Sequence, residues 1–538
     1  MAAPPTTAPR PRPSAQSARE AAAAQARRWA PTLAEPSVVG VLIGALLAGA
    51  YLRYEVMSGP LGYVDYDEAT VALQAGTFLA HPAVFFPNQS YGGTLEIFLT
   101  SLFFQVSSSA LALKLVPIVL LGAAAIVTWR AATRLVPSGL GQLVVLVLMW
   151  TGPAFGIWES TKGRGFYGAT ILLAALAALL GARFTEAATV RRAAAFGLAA
   201  GIAVWTTPLL VLVYVPCAVW LAVRCWRCWR ALGFAVPAAI VGASPLLLWN
   251  EANGWGTFDG PAQTSATSGE LLIDGLGKVP TLVGLATPWN PDRTLLPGAA
   301  AVTGVVLIGL IVITTMRTRR VAPGFVATVL GGYVALYGFV VPLGAMGEDL
   351  RYLYPAMPFI ALAIGGVIPE ARHRWGAAAL LGTVTVAAAL TSWWGIQGLE
   401  EAAPTDTAFL ASPGIPEVAD FLHERGITTA TTDVAGTQLT FETDGAIRAA
   451  SFGAPRFRDL QAVMFERRPT TYVLERDGSG NTALLEREAR RRGIAYEKRT
   501  FGVWNVYLLD RWLPPWEIGL GVYGGPLTEA RAREIFED

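Results

Sequence analysis

The stretch Gly62-Tyr-Val-Asp-Tyr-Asp-Glu-Ala-Thr-Val-Ala-Leu-Gln-Ala-Gly76 places Asp65, Asp67 and Glu68 shortly after an apolar run, Val38 to Leu52, that carries no charged side chain. A run of this character reads as a helix entering ~30 Å of hydrocarbon. From Glu68 onward Ala69, Ala72, Leu73 and Ala75 recur at helical spacing, so the acids open a short helix just outside the membrane. Carboxylates are favoured at a helix amino terminus, where they meet the dipole and can cap the first turn. One acid suffices for a cap, and three at a membrane face are costly unless something uses them.

Outward from this loop, the composition agrees with a membrane chain. Of 538 residues 53% are hydrophobic and 15% charged, against about 25% charged in soluble proteins. Apolar segments predict spans near 38–52, 111–129, 139–157, 166–182, 194–206, 208–223, 231–249, 298–316, 323–342, 353–368 and 375–395, eleven in all. The segment 93–106 is apolar but out of phase with this alternation and is expected to lie along the outer leaflet. The net charge of +2 hides a strong sidedness. Arg10, Arg12, Arg130, Arg134, Arg191, Arg192 and Arg317 fall at alternate ends, and the positive-inside rule puts those ends in the cytoplasm. Residues 1–37, rich in Ala, Pro and Arg, then form a disordered cytoplasmic arm, residues 38–395 the transmembrane domain, and residues 396–538 an extracytoplasmic domain. The first apolar run is read as an uncleaved span. Cys217, Cys225 and Cys228 read as incidental thiols, and no cysteine falls on the outer side to form a disulfide framework.

The outer face collects further polar groups. Ser90-Tyr-Gly-Gly-Thr-Leu-Glu96 is a turn entering a helix, with Tyr91 and Glu96 on either side of the glycine pair. Glu159, Lys162 and Arg164 lie between two spans, Trp205-Thr-Thr-Pro208 joins two short ones, and Gly347-Glu-Asp-Leu-Arg351-Tyr352-Leu-Tyr-Pro355 opens the tenth. Each could belong to an interfacial belt of aromatics and snorkelling cations. Together they offer what a phosphate needs, since Arg presents a fixed charge and paired donors.

With these residues in place the chain resembles the GT-C fold glycosyltransferases, which include protein O-mannosyltransferases, aminoarabinose transferases and lipopolysaccharide-core glycosyltransferases. The resemblance rests on Asp67-Glu-Ala69 after the first span, Ser90 to Glu96, Gly197 to Pro208, and Arg351-Tyr-Leu-Tyr-Pro-Ala-Met-Pro358, and covers residues 38–395. It implies an inverting hexosyl or pentosyl transferase that moves a sugar from a polyprenyl-phosphate-linked donor to a glycan, lipid or protein hydroxyl at the outer face of the cell membrane. By the resemblance Asp67 is the catalytic base, with Asp65 as the alternative. Glu68, Tyr91, Glu96, Lys162, Arg164, Arg351 and Tyr352 are the candidate substrate-binding residues. The O-mannosyltransferases work without metal, so no cofactor is expected, although Asp65, Asp67 and Glu68 could together hold a divalent cation. Membrane lipid is the surrounding partner, and no nucleic acid is expected.

From Thr405 helix-like and strand-like segments alternate, predicting a small α/β domain with a mainly parallel sheet. It has no Gly-x-Gly-x-x-Gly turn and so does not read as nucleotide-binding. A transporter would share the many spans, but nearly all spans here lack Asp, Glu or Lys and the sequence has no inverted repeat. A non-catalytic scaffold would keep the fold without needing Asp67.

Overall fold

The computed structural model describes residues 35–258, 269–270, 273, 277–288, 290–295, 321–339, 350–369, 373–402, 413–453, 455–476, 480–522, 525–530 and 533. Most of the expected amino-terminal arm, the span expected at 298–316, and Glu348 and Asp349 lie outside the described residues.

The first helix, α1 (Pro36–Ser58), begins with Pro at its first position, where no intrahelical N–H is needed, and ends at Gly59-Pro60. A short helix α2 (Tyr66–Thr77) carries the acidic loop into the protein, and α3 (Leu95–Phe104), apolar but only ten residues long, follows the glycine turn. Then come α4 (Ala110–Leu135), α5 (Gly139–Thr151), α6 (Ala154–Glu159), α7 (Tyr167–Glu186), α8 (Val190–Thr206), α9 (Val211–Arg224), α10 (Ala235–Gly242), α11 (Val321–Phe339), α12 (Met357–Val367) and α13 (Arg374–Ala402).

Among the described residues five helical stretches are long and apolar enough to cross a membrane: Pro36–Ser58, Ala110–Leu135, Tyr167–Glu186, Leu350–Val367 and Trp375–Glu401. A sixth counts if Pro208–Arg224 and Trp226–Gly233, bent by 93°, form one broken span. The chain is thus a multi-pass helical membrane protein. Two expected spans are interrupted. Segment 139–157 breaks at Gly152-Pro153, because Pro cannot donate the next helical hydrogen bond. Segment 231–249 is divided among Trp229–Gly233, α10 and Ser244–Ala252. The close pairing of α8 and α10 depends on small residues: a Cβ on Gly197 would stand 2.0 Å from the Ala235 carbonyl oxygen, and one on Gly201 2.0 Å from that of Ala239.

After α13, which continues past residue 396 to Ala402, the carboxy-terminal part is α14 (Ile415–Glu424), β1 (Thr429–Thr432), α15 (Gly436–Glu442), β2 (Arg448–Ser451), α16 (Arg458–Glu466), β3 (Thr471–Glu475), α17 (Asn481–Arg491), β4 (Tyr496–Phe501) and β5 (Trp504–Leu509). The sheet order is β2-β1-β3-β5-β4. Strand β1 runs parallel to β2 and β3, while β5 is antiparallel to β3 and β4. The sheet is therefore mixed rather than mainly parallel. Its last two strands form a hairpin whose turn uses Gly502 at φ +55°, a conformation that favours glycine. Apolar clusters cover both faces, one around Tyr472 and Leu485, the other around Val418, Leu439 and Trp504.

Candidate active site

The acidic loop resolves into two environments. Asp65 caps α2: its Oδ1 accepts from the Glu68 N–H at 3.0 Å, while Glu68 Oε2 accepts from the Asp65 N–H at 3.2 Å, a reciprocal capping box. The same two carboxylates meet three cations. Arg164 donates to Asp65 Oδ2 from Nε at 2.9 Å and pairs through Nη2 at 2.8 Å. Lys162 Nζ lies 3.5 Å from Asp65 Oδ2 and 3.1 Å from Glu68 Oε2, and Lys114 Nζ donates to Glu68 Oε1 at 2.9 Å. The Gly163 N–H adds a bond of 3.0 Å to Glu68, and Arg164 Nη1 stands 3.5 Å from Glu159 Oε2.

All six charged side chains are buried, at most 4% exposed. Three carboxylates face three cations, so the cluster is formally neutral. Such an arrangement offsets its desolvation only while complete. Burial raises the Asp65 pKa, but Arg164, Lys162 and the Glu68 N–H outweigh it and hold the carboxyl well below the usual range.

Asp67 faces the other way. It is 21% exposed, with Oδ2 3.4 Å from Arg351 Nη1 and Oδ1 3.4 Å from Arg456 Nη2. Arg351 lies over the ring of Tyr167 at 5.1 Å. Arg456 is held between the rings of Tyr66 and Phe86, at 4.9 and 5.0 Å, and donates through Nη1 to the Pro87 carbonyl at 3.4 Å. Half-buried Tyr91 belongs to the same group: burial raises its hydroxyl pKa, and it feels the charges of Arg456, Asp67 and Arg351.

The glycine turn gives this wall its shape. Gly92, at φ +81°, leaves no room for a side chain: a Cβ there would be 2.7 Å from the Phe166 ring. The Gly93 N–H donates to Thr206 O at 2.9 Å, and Trp205 Nε1 donates to Val84 O at 3.1 Å. The Trp205-Thr-Thr-Pro208 turn and the glycine turn are therefore one unit. On the opposite side the α/β domain docks directly on the acidic loop. Thr437 Oγ1 donates to Tyr66 O at 3.2 Å, Gln438 Nε2 to Val64 O at 3.1 Å, and Asn88 Nδ2 to Pro455 O at 2.9 Å.

The structure thus brings Asp67, Arg351 and Tyr91 together and places Asp65, Glu68, Lys162 and Arg164 in the neutral cluster beneath them. Glu96 sits apart, accepting from the Ala169 N–H at 3.1 Å at the start of α7. Tyr352 accepts a hydrogen bond at its carbonyl from Tyr333, and its half-buried side chain packs on the membrane core. Among the described residues no three His, Cys, Asp or Glu side chains are grouped to hold a metal ion. Two participants are additional to the sequence reading of the site. Lys114 stands at helical phase with an apolar face, which identifies no partner. Arg456 sits in Pro455-Arg456-Phe457, where no motif marks it.

This architecture has a solved counterpart. ArnT from Cupriavidus metallidurans, whose structure was determined bound to undecaprenyl phosphate, is similar at 13% identity and a TM-score of 0.60 over 88% of this chain and 97% of that one. The chain has the GT-C fold. The apo oligosaccharyltransferase of Archaeoglobus fulgidus is similar at 12% identity and a TM-score of 0.42 over 81% of this chain and 69% of that one. The sequence itself matches no protein-family model and no curated protein. Within the GT-C frame the site described here lies where the loop after the first helix meets the α/β domain.

Proposed function

We propose that this chain is an inverting glycosyltransferase that moves a sugar from a polyprenyl-phosphate-linked donor to an acceptor hydroxyl at the outer face of the cytoplasmic membrane. The observation that carries this reading is the division of labour among the loop acids. Asp65 and Glu68 are locked in a buried neutral cluster, while Asp67 alone stays half-exposed beside two guanidinium groups. The GT-C fold, and the undecaprenyl phosphate bound by ArnT, support the donor class.

In the reaction Asp67 takes the proton of the acceptor hydroxyl as the acceptor oxygen bonds to the anomeric carbon. The bond from that carbon to the donor phosphate breaks with its electron pair, and the lipid phosphate leaves toward Arg351. A guanidinium already fixed by Tyr167 stabilises that departing charge without reorganising. The alternation of Arg-rich ends in the sequence, with a cytoplasmic amino terminus, supports a site and an α/β domain on the outer side of the membrane. Glu68, Lys162 and Arg164 serve the substrate indirectly, by fixing the loop that holds Asp67, and Tyr91 borders the sugar.

The test is sugar transfer from polyprenyl-phosphate-linked donors by the purified chain in detergent or vesicles. Transfer by the native chain that Asp67→Asn abolishes upholds the reading. Transfer unaffected by Asp67→Asn removes the base role from Asp67, and no transfer by the native chain overturns the reading and leaves a scaffold or transport role.

A further inference from the structure

The groups around Asp67 are not all supplied by the membrane domain. Asp67 meets Arg351 on one oxygen and Arg456 of the α/β domain on the other, so two guanidiniums converge on one carboxylate at a partly open site. The guanidinium of Arg456 is nearly buried, at 13% exposure, yet its Nε lies buried without a hydrogen-bond partner. Its plane is fixed between Tyr66 and Phe86, and its contact to Asp67 is long for a charged hydrogen bond at 3.4 Å. A fixed, under-used guanidinium beside a second one suits an oxyanion with several acceptor atoms.

The placement of the domain points the same way. Arg456 follows β2, and Gly436-Thr437-Gln438 follow β1, so both groups stand at the carboxyl ends of parallel strands. That edge is where open α/β sheets receive ligands. Here it is turned onto the loop that carries Asp67.

We infer that Arg456 is a second ligand of the donor phosphate, so that the site is composite and completed by the α/β domain. The inference rests on the donor class proposed above. Before the donor arrives, Asp67 holds the two guanidiniums apart, one on each oxygen; phosphate then takes them over and frees Asp67 to accept a proton.

The experiment measures binding of undecaprenyl phosphate to the detergent-purified full chain by native mass spectrometry, together with donor KM and kcat. Arg456→Gln is expected to weaken binding about tenfold to a hundredfold, the usual loss of a charged hydrogen bond, with KM for the donor rising accordingly. Arg456→Lys keeps the charge without the planar fork and binds a few-fold more weakly than the native chain. It stands in if the glutamine variant does not fold, and native affinity in it overturns the assignment. Gln438→Ala, which removes a docking bond but no charge, should leave binding near native. Equal weakening in Gln438→Ala and Arg456→Gln would mean that Arg456 only docks the domain, and the assignment falls. Native affinity in Arg456→Gln beside weakened Arg351→Ala also sinks the second ligand while leaving the function standing. If the native chain itself does not bind undecaprenyl phosphate, the donor class is wrong.

Discussion

Replacing Asp65 and Asp67 by asparagine in turn separates stability from chemistry across two residues of one loop. In Asp65→Asn the amide oxygen can still accept from the Glu68 N–H at 3.0 Å, so the helix cap survives. Arg164 and Lys162, which are 1% and 0% exposed, lose their shared countercharge. Breaking a buried pair in this way costs about 3–5 kcal/mol, a large part of the ~5–15 kcal/mol that holds a typical domain folded. Asp67 is 21% exposed and its charged contacts among the described residues are two long ones of 3.4 Å, so Asp67→Asn should leave the fold unchanged. Loss of a general base should lower turnover by about 10²–10⁴, roughly 3–5 kcal/mol on the barrier. Thermal unfolding of the detergent-purified chains is measured alongside sugar transfer well below the native transition. The expected result is a lowered Tm for Asp65→Asn with residual turnover, and a native Tm with lost turnover for Asp67→Asn. The opposite pattern would refute the assignment of the two acids.

Arg351→Ala should raise the donor KM by about tenfold or more with an unchanged Tm; an unaltered KM would return Arg351 to the interfacial belt. Glu68→Gln leaves Lys114 and Lys162 facing a neutral amide and should lower Tm more than Asp67→Asn does, checked by the same melting assay. Burial pushes the Asp433 carboxyl up to about 7, against opposing bonds from the Glu475 and Val434 N–H groups, with the Glu475 charge adding to the rise. Its folded form therefore binds more protons than the unfolded chain between about pH 4 and 7. Stability should fall as pH rises through that window, by at most ~1.4 kcal/mol per pH unit, and Asp433→Asn should flatten the profile in melts from pH 4 to 8. In a background without the three cysteines, Arg487→Cys at an exposed site should react with an impermeant thiol reagent in intact cells. Labelling only after lysis would reverse the membrane orientation.

Hydropathy alone located the long spans, because a helix such as α4 must satisfy its backbone internally and expose apolar side chains to lipid. It located them less well where Pro153 breaks a run, or where the segment 231–249 is divided among three short helices. In the tail, α16 carries Leu460, Val463 and Met464 at helical spacing, a pattern legible in the sequence. Strand β4, Tyr-Glu-Lys-Arg-Thr-Phe, hides because an edge strand gains from charged side chains that mask its periodicity.

Within the site, Asp65-x-x-Glu68 could be read as a capping box, but its cations lie between 46 and 99 residues away. Nothing in one sequence pairs Lys114 with Glu68 rather than with lipid or water. Local pattern places the acids at a helix start, and only tertiary packing decides which of them is left at the surface.

The distance along the chain from Asp67 to Arg456, 389 residues, also has a clock attached. At about 5–20 residues per second of synthesis the two leave the ribosome roughly 20–80 s apart. The partners of Glu68 emerge much sooner, Lys162 being 94 residues behind it. A nascent chain can therefore close the neutral cluster and anchor its acidic loop long before the second guanidinium exists. Until Arg351 appears, 284 residues behind Asp67, the loop lacks both guanidiniums, and from then until residue 456 it lacks one, so a chain ended in that last stretch would keep an intact Asp67 with only one of its two guanidinium partners.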